Sequence, residues 1–192
     1  MANATASLSV LPGSSASAYG YREHIRKIPK KYWWLLVPCL MGSFIGNFLL
    51  VRTQPEFFER LAPWFVLSAV ALLAVQSRLH RWLSKQTKKR KIHWHTLPLL
   101  CIFALPIALY CGFFGVGYGI MMLALLGFTG LASIHQMNGL KNCCGIVMST
   151  ISVIYFSHAG LIHWQSGLIM AAGTSIGGYT GSRLSQKVSA HL

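Results

Sequence analysis

The chain has almost no negative charge. Of 192 residues, 17 are Lys or Arg but three are acidic, Glu23, Glu56 and Glu59, and Asp is absent. That shortage excludes paired carboxylates for glycoside hydrolysis, carboxylate cages for Ca²⁺ or Mg²⁺, and a Ser-His-Asp arrangement. A membrane proton relay built on a buried Asp or Glu is excluded as well, because all three Glu lie outside the long apolar runs. Charge of either sign is scarce, 10% of residues against about 25% in soluble domains. With 54% hydrophobic residues and a mean hydropathy of +0.50, the composition rules out a soluble enzyme and describes a chain that lives in a lipid bilayer. The net charge of +14 raises nucleic acid as a partner, but basic residues in so apolar a chain are topological signals, and no nucleic-acid partner is expected.

Metal and cofactor chemistry finds little support. Cys39, Cys101, Cys111, Cys143 and Cys144 lie in or beside apolar runs, none forms a C-x-x-C pair, and they read as small buried hydrophobes. A pair of histidines on facing helices could ligate haem. However, His93 and His95 are two apart, on different helix faces, and His158 and His163 flank a loop. The histidines read as interfacial polar residues, and no cofactor, metal or catalytic residue is expected.

What is present is a series of apolar runs, which predicts an all-α, polytopic helical membrane protein with five or six apolar elements. Residues 1–31 read as a disordered tail that ends in a basic segment holding Arg22, Arg26, Lys27, Lys30 and Lys31. Residues 32–192 read as the transmembrane domain, with spans at about 33–51, 61–77, 97–112, 119–132, 143–156 and 166–182. Tyr32, Trp33 and Trp34 stand where interfacial aromatics belong. The loop 78–95 carries seven more basic residues, from Arg78 to Lys91. The positive-inside rule puts this loop and the N-terminus with its basic segment in the cytoplasm, which agrees with two spans between them.

Glycines at 112, 115, 117 and 119 interrupt an apolar stretch about twice as long as one span. Two arrangements fit: two spans joined by a tight glycine turn, or one span followed by a re-entrant half-helix. The first puts Lys141, Arg183 and Lys187 inside, as the charge rule prefers. There is also an internal repeat. Gly42-Ser43-Phe44-Ile45-Gly46-Asn47 and Arg52 align at a constant offset with Gly173-Thr174-Ser175-Ile176-Gly177-Gly178 and Arg183. Repeats in a polytopic protein point to a transporter.

The glycine-rich break is the strongest candidate site. Glycines let the backbone leave the helical track and free N–H groups, which at membrane depth survive only when buried in protein or lining a cavity. A half-helix starting after them would offer N–H groups and a positive dipole end to an anion. Downstream, Asn138, Lys141 and Asn142 share one helix face at i, i+3 and i+4. A cation flanked by two carboxamides suits an anionic group, Lys141 by charge and the amides by directional hydrogen bonds.

The stretches LYCGFFGVGYGIMMLALLGF and HQMNGLKN, followed by HAGLIHW and GTSIGGYTGSRL, resemble the sulfite exporter TauE/SafE family of membrane permeases. The resemblance covers about residues 34–184. It implies a family fold of about eight helices built from a duplicated unit, and transport of sulfite, sulfonates or other small anions across the inner membrane. It also implies Gly115, Gly117 and Gly119 at a broken helix, with Asn138, Lys141 and Asn142 facing the path; Tyr118, between the last two glycines, is added as a candidate substrate-binding residue from its position alone. The sequence departs from the family pattern at Cys111, Val116 and Tyr118. Nothing matches the family's first helix pair, so a truncated or partial member is expected: a gene fragment, a product with a misassigned start, a half-transporter that assembles as a homo-oligomer or with a partner membrane chain, or a non-transporting membrane subunit.

Overall fold

The structure is a computed structural model. It describes residues 2–54, 96–115, 117–127, 129, 131 and 133–189, with isolated positions between 56 and 70. The expected span 61–77 and the basic loop 78–95 fall largely or wholly outside the described residues. Seven helices are described: α1 (Ala2–Gly20), α2 (Arg22–Ile25), α3 (Leu36–Arg52), α4 (Thr96–Phe114), α5 (Tyr118–Gly127), α6 (Ile134–His158) and α7 (Trp164–Ser189). A 3-10 turn over Lys30–Leu35 leads into α3. Three stretches are long and apolar enough to cross a bilayer: Lys30–Arg52, Leu97–Phe114 and Ile134–His158.

Contacts between small residues fix the directions of the helices. Gly42 meets Leu105, Ala108 and Leu109, while Gly46 meets Leu109, Gly112 and Phe113, so both numbers rise together and α3 and α4 run parallel. Ser43 bonds at Met148 and Asn47 at Ser152, which makes α6 parallel to α3 too. By contrast Ser14 abuts Gly145 and Ser17 pairs with Asn142, so α1 runs antiparallel to α6. Leu8 meets Gly167 and Gly13 meets Thr174, which sets α7 parallel to α1. Thus α3, α4 and α6 all start at one end of the molecule and α7 finishes there. That end carries Arg22 to Lys31, the return from the basic loop at Thr96, and Arg183 and Lys187, and is termed the basic end.

The parallel course of α4 and α6 decides how the chain turns at the glycines. From Phe114, at the opposite end, it must return to Ile134 at the basic end. Helix α5 has ten residues, about 15 Å, half of the roughly 30 Å hydrocarbon core. Its far end is pinned at the basic end by the Tyr32 hydroxyl, which donates to the Thr129 carbonyl at 2.8 Å. Its amino end lies beside Lys141 and Gly145, the eighth and twelfth residues of α6, and so stands well inside the bilayer. The element is therefore a half-helix, yet the chain still crosses. The expected span 119–132 is a helix only to Gly127, and the side assigned to Lys141, Arg183 and Lys187 is the one the tight-turn arrangement requires.

Three further expectations are corrected. Residues 2–20 are not a disordered tail but helix α1, packed against α6 and α7. Its Ala, Ser, Thr and Gly side chains are poor in hydropathy but let backbones approach closely, which is how membrane helices associate. Gly13, for example, sits against the backbone of Gly178. Because α1 is antiparallel to α6, residue 2 lies at the opposite end from the basic segment, not beside it. Finally, α6 begins at Ile134, capped by Ser133, whose hydroxyl accepts from the His135 N–H, and not at 143. Its polar first turns face α1 and α5 and so belong to the span.

The repeat is visible as packing. Ser43 Oγ of α3 donates to the Met148 carbonyl of α6, and its counterpart Thr174 Oγ1 of α7 donates to the Ser9 carbonyl of α1. Asn47 stands opposite Ser152, and its counterpart Gly178 stands opposite Gly13. One pair of offsets, 131 (43 to 174, 47 to 178) and 139 (9 to 148, 13 to 152), relates both contacts. Since α3 and α7 run in opposite directions, as do α1 and α6, this is an inverted-topology repeat.

Candidate functional site

The site is built where α5 starts. Gly115 and Gly117 have φ of 82° and 81°, a left-handed backbone that costs other residues about 1–2 kcal/mol. Two such turns end α4 and aim α5 back toward the basic end. At the start of α5, the N–H groups of Ile120 and Met121 both reach the Gly117 carbonyl. Those of Tyr118 and Gly119 have no acceptor among the described residues, and with the helix dipole they leave a positive pole inside the bilayer.

Lys141 faces this pole. Its Nζ lies 3.8 Å from the point that a Cβ on Gly119 would occupy. The Tyr118 hydroxyl donates to the Lys141 backbone carbonyl at 2.9 Å, clamping the start of α5 to α6. No hydrogen-bond or ion-pair partner of the Lys141 ammonium is found among the described residues, and no acid is within any span. One residue on, Asn142 Nδ2 donates to Ser17 Oγ of α1 at 2.7 Å. Asn138 lies one turn toward the basic end, half-buried on the same face, with no hydrogen-bond partner among the described residues.

Five of the residues singled out in the sequence, Gly117, Tyr118, Gly119, Lys141 and Asn142, are thereby brought together. Gly115 serves the turn and is exposed, and Asn138 borders the group on the basic side. The sequence reading missed α1. Ser14 Oγ and the Tyr118 ring flank Gly145 at 3.5 and 3.6 Å from where its Cβ would be. The sequence repeat covers α3 and α7 only, its extension into α1 and α6 is seen in the packing, and α1 lacks the hydropathy by which spans are recognised.

Elsewhere the chemistry is structural. Cys39 and Cys144 are buried and unpaired in the core. Among the described residues no cluster of three or more His, Cys, Asp or Glu could hold a metal ion. The His24 and His135 rings lie 5.0 Å apart, tilted by 55° to one another, each with a buried Nδ1 that has no partner among the described residues. A cavity of about 570 Å³ between α3 and α6 is apolar and lined by Phe44, Val51, Ile151, Ile154 and Tyr155, away from Lys141.

A bundle of membrane helices with an inverted repeat, broken at mid-depth beside a lone cation, defines a membrane-embedded protein of transporter type. The family model for the sulfite exporter TauE/SafE matches residues 1–192, and the chain belongs to that family. It is 28% identical over 192 residues to a "Probable membrane transporter protein" of Haemophilus influenzae, covering 96% of this chain and 70% of that one. The "Probable membrane transporter protein YfcA" of Escherichia coli K12 is 25% identical over 189 residues, with 94% and 65% covered. "Probable membrane transporter protein MamO" of Paramagnetospirillum magneticum is 29% identical over 183 residues, but the chain spans only 28% of its length. No solved structure matches.

Proposed function

We propose that the chain is a permease unit that moves a small anion such as sulfite, a sulfonate or another organic anion across the inner membrane, with its basic end in the cytoplasm. The observation that carries this reading is the uncompensated Lys141 ammonium beside the amino end of a half-helix. A charge held at that depth needs a counter-charge. Since the spans hold no acid, an anion fits both the cation and the free N–H groups of Tyr118 and Gly119. The neighbouring carboxamides of Asn138 and Asn142 add directional donors that an oxyanion can use.

Inverted repeats support alternating access, the two halves rocking about a site near the midplane. No span carboxylate is available to couple a proton, so a proton would travel on a histidine, on Tyr118 or on the substrate itself. A second reading, that transport needs a partner membrane chain or a second copy, is favoured by one observation. Gly173 and Gly177 of α7 face no described atom within 4 Å, although their counterparts Gly42 and Gly46 seat α4.

The test is sulfite flux into liposomes holding the purified chain. Lys141→Ala abolishes flux while the protein still inserts, and Lys141→Arg retains part of it. Flux indifferent to Lys141→Ala removes the site assignment. Absence of flux from the intact chain, with co-purification of another spanning protein, selects the second reading.

A further inference from the structure

Helix α1 contains serines that behave differently from one another. A serine inside a helix ordinarily spends its hydroxyl proton on a carbonyl one turn back. Ser9 does so with Ala6 and Ser15 with Leu11, at 2.7 and 2.9 Å. Ser14 and Ser17 do not: neither hydroxyl donates to any described residue. Ser17 Oγ accepts from Asn142 Nδ2, which leaves its proton to point elsewhere, and Ser14 Oγ has no hydrogen-bond partner at all among the described residues.

These two are also the serines turned toward the site. Three residues apart, they share a face of α1, Ser17 against Asn142 and Ser14 across Gly145 from the Tyr118 ring. Both are half-buried. In a membrane interior an unspent donor is costly unless a ligand or water takes it. Ser14 Oγ and the Tyr118 ring both come within van der Waals reach of the same point beside Gly145, so α1 and the start of α5 border one space there.

We infer that α1 forms the third wall of the anion site, with Ser14 and Ser17 as binding residues whose hydroxyls donate to the anion opposite the Lys141 ammonium. Ser17 also acts on its neighbour. By accepting from Asn142 it holds that carboxamide in place, leaving the other amide proton and the carbonyl oxygen to line the site. The ligand class follows from this arrangement. Donors converging from three helices suit an oxyanion with several acceptor oxygens, such as sulfite or an alkyl sulfonate, better than a halide. The inference rests on the anion-permease reading, and its test separates the two.

The experiment measures concentration-dependent sulfite uptake by the 192-residue chain in liposomes, for the parent, Ser14→Ala, Ser17→Ala, the double variant and Lys141→Ala. Each serine change raises the half-saturating sulfite concentration about ten-fold, the usual cost of one hydrogen bond to a charged group, with maximal flux kept. Ser17→Thr, which retains the hydroxyl, stays near the parent. In parallel, Ser14→Cys or Ser17→Cys, in a chain whose five natural cysteines are replaced by Ala, is labelled by a charged methanethiosulfonate, and sulfite slows the labelling. Flux that depends on Lys141 but is indifferent to both serines, or labelling that sulfite does not slow, overturns the role of α1 and leaves the permease reading standing. Flux indifferent to Lys141 overturns that reading first.

Discussion

The repeat predicts that identical substitutions at equivalent positions of α3 and α7 have opposite effects. At Gly46 an added Cβ would press on the Leu109 carbonyl oxygen and lie 2.9 Å from the Phe113 nitrogen, both backbone atoms of α4. At Gly42 it would lie 2.6 Å from the Leu105 oxygen. Backbone cannot swing aside as a side chain can, so the helices must separate, and overpacking of this kind costs about 1–3 kcal/mol. Separation would also loosen Gly112, whose own missing Cβ lets it approach the Ser43 carbonyl. At Gly177 no described residue lies within 4 Å, so alanine there meets no clash with them and gains the helix propensity that glycine lacks, about 1 kcal/mol. The two substitutions therefore differ by roughly 2–4 kcal/mol. For a chain of this length that is about 5–15 °C in melting temperature. Size-exclusion chromatography of detergent-solubilised, heated samples reads this directly: Gly46→Ala melts well below the parent and Gly177→Ala at or slightly above it. Equal melting of the two variants would refute the packing asymmetry between α3 and the α7 face that no described residue covers.

Other consequences follow from the same geometry. Gly117→Ala forces an L-residue into φ of 81° and loses flux together with about 1–2 kcal/mol of stability, whereas Gly119→Ala adds a methyl at ordinary contact with Lys141 and changes flux without changing melting; matched losses in both would contradict the assignment. Tyr32→Phe leaves the buried Thr129 carbonyl without its tyrosine donor and lowers stability by about 1–2 kcal/mol, seen as a lower melting temperature. Asn47 and Ser152 exchange hydrogen bonds at 3.0 and 3.2 Å in a buried seam, so a cycle of Asn47→Ala, Ser152→Ala and the double variant shows coupling of about 1 kcal/mol, and additivity would deny the pair.

The parts of the fold visible in the sequence are those whose physics is local. Hydropathy marks α3, α4 and α6 because their lipid-facing residues, such as Phe44, Ile102 and Ile154, are apolar and exposed. The glycine break is visible because left-handed backbone selects glycine at 115 and 117. Helix α1 is invisible to the same test, since its Ala, Ser and Gly residues are suited to neighbouring helices and not to lipid. The start of α6 fails for a related reason. Asn138, Lys141 and Asn142 look like a polar loop to a hydropathy window, but tertiary packing turns them toward α1 and α5. The same blindness hid half of the proposed site: Lys141 and Asn142 carry their chemistry in their side-chain types, whereas Ser14 and Ser17 are proposed for what their hydroxyls do not bond.

The inverted repeat shares packing between its halves but not charge. The offset that carries Ser9 onto Met148 carries Ala2 onto Lys141, so the cation has no counterpart in the other half. The site is therefore asymmetric across a nearly symmetric frame, with its fixed charge about 10 Å in from the start of α6 at the basic end. Placing an acid opposite Lys141 would satisfy the charge permanently and close the site to anions. Under the proposed anion-permease function, the scarcity of Asp and Glu is what would leave neutralisation of Lys141 to a ligand. Introducing an acid tests this directly: Ser17→Asp supplies a carboxylate beside Asn142 and abolishes sulfite uptake, while raising the melting temperature if that carboxylate reaches the Lys141 ammonium. Retained uptake in Ser17→Asp would mean that the anion does not pass between α1 and α6.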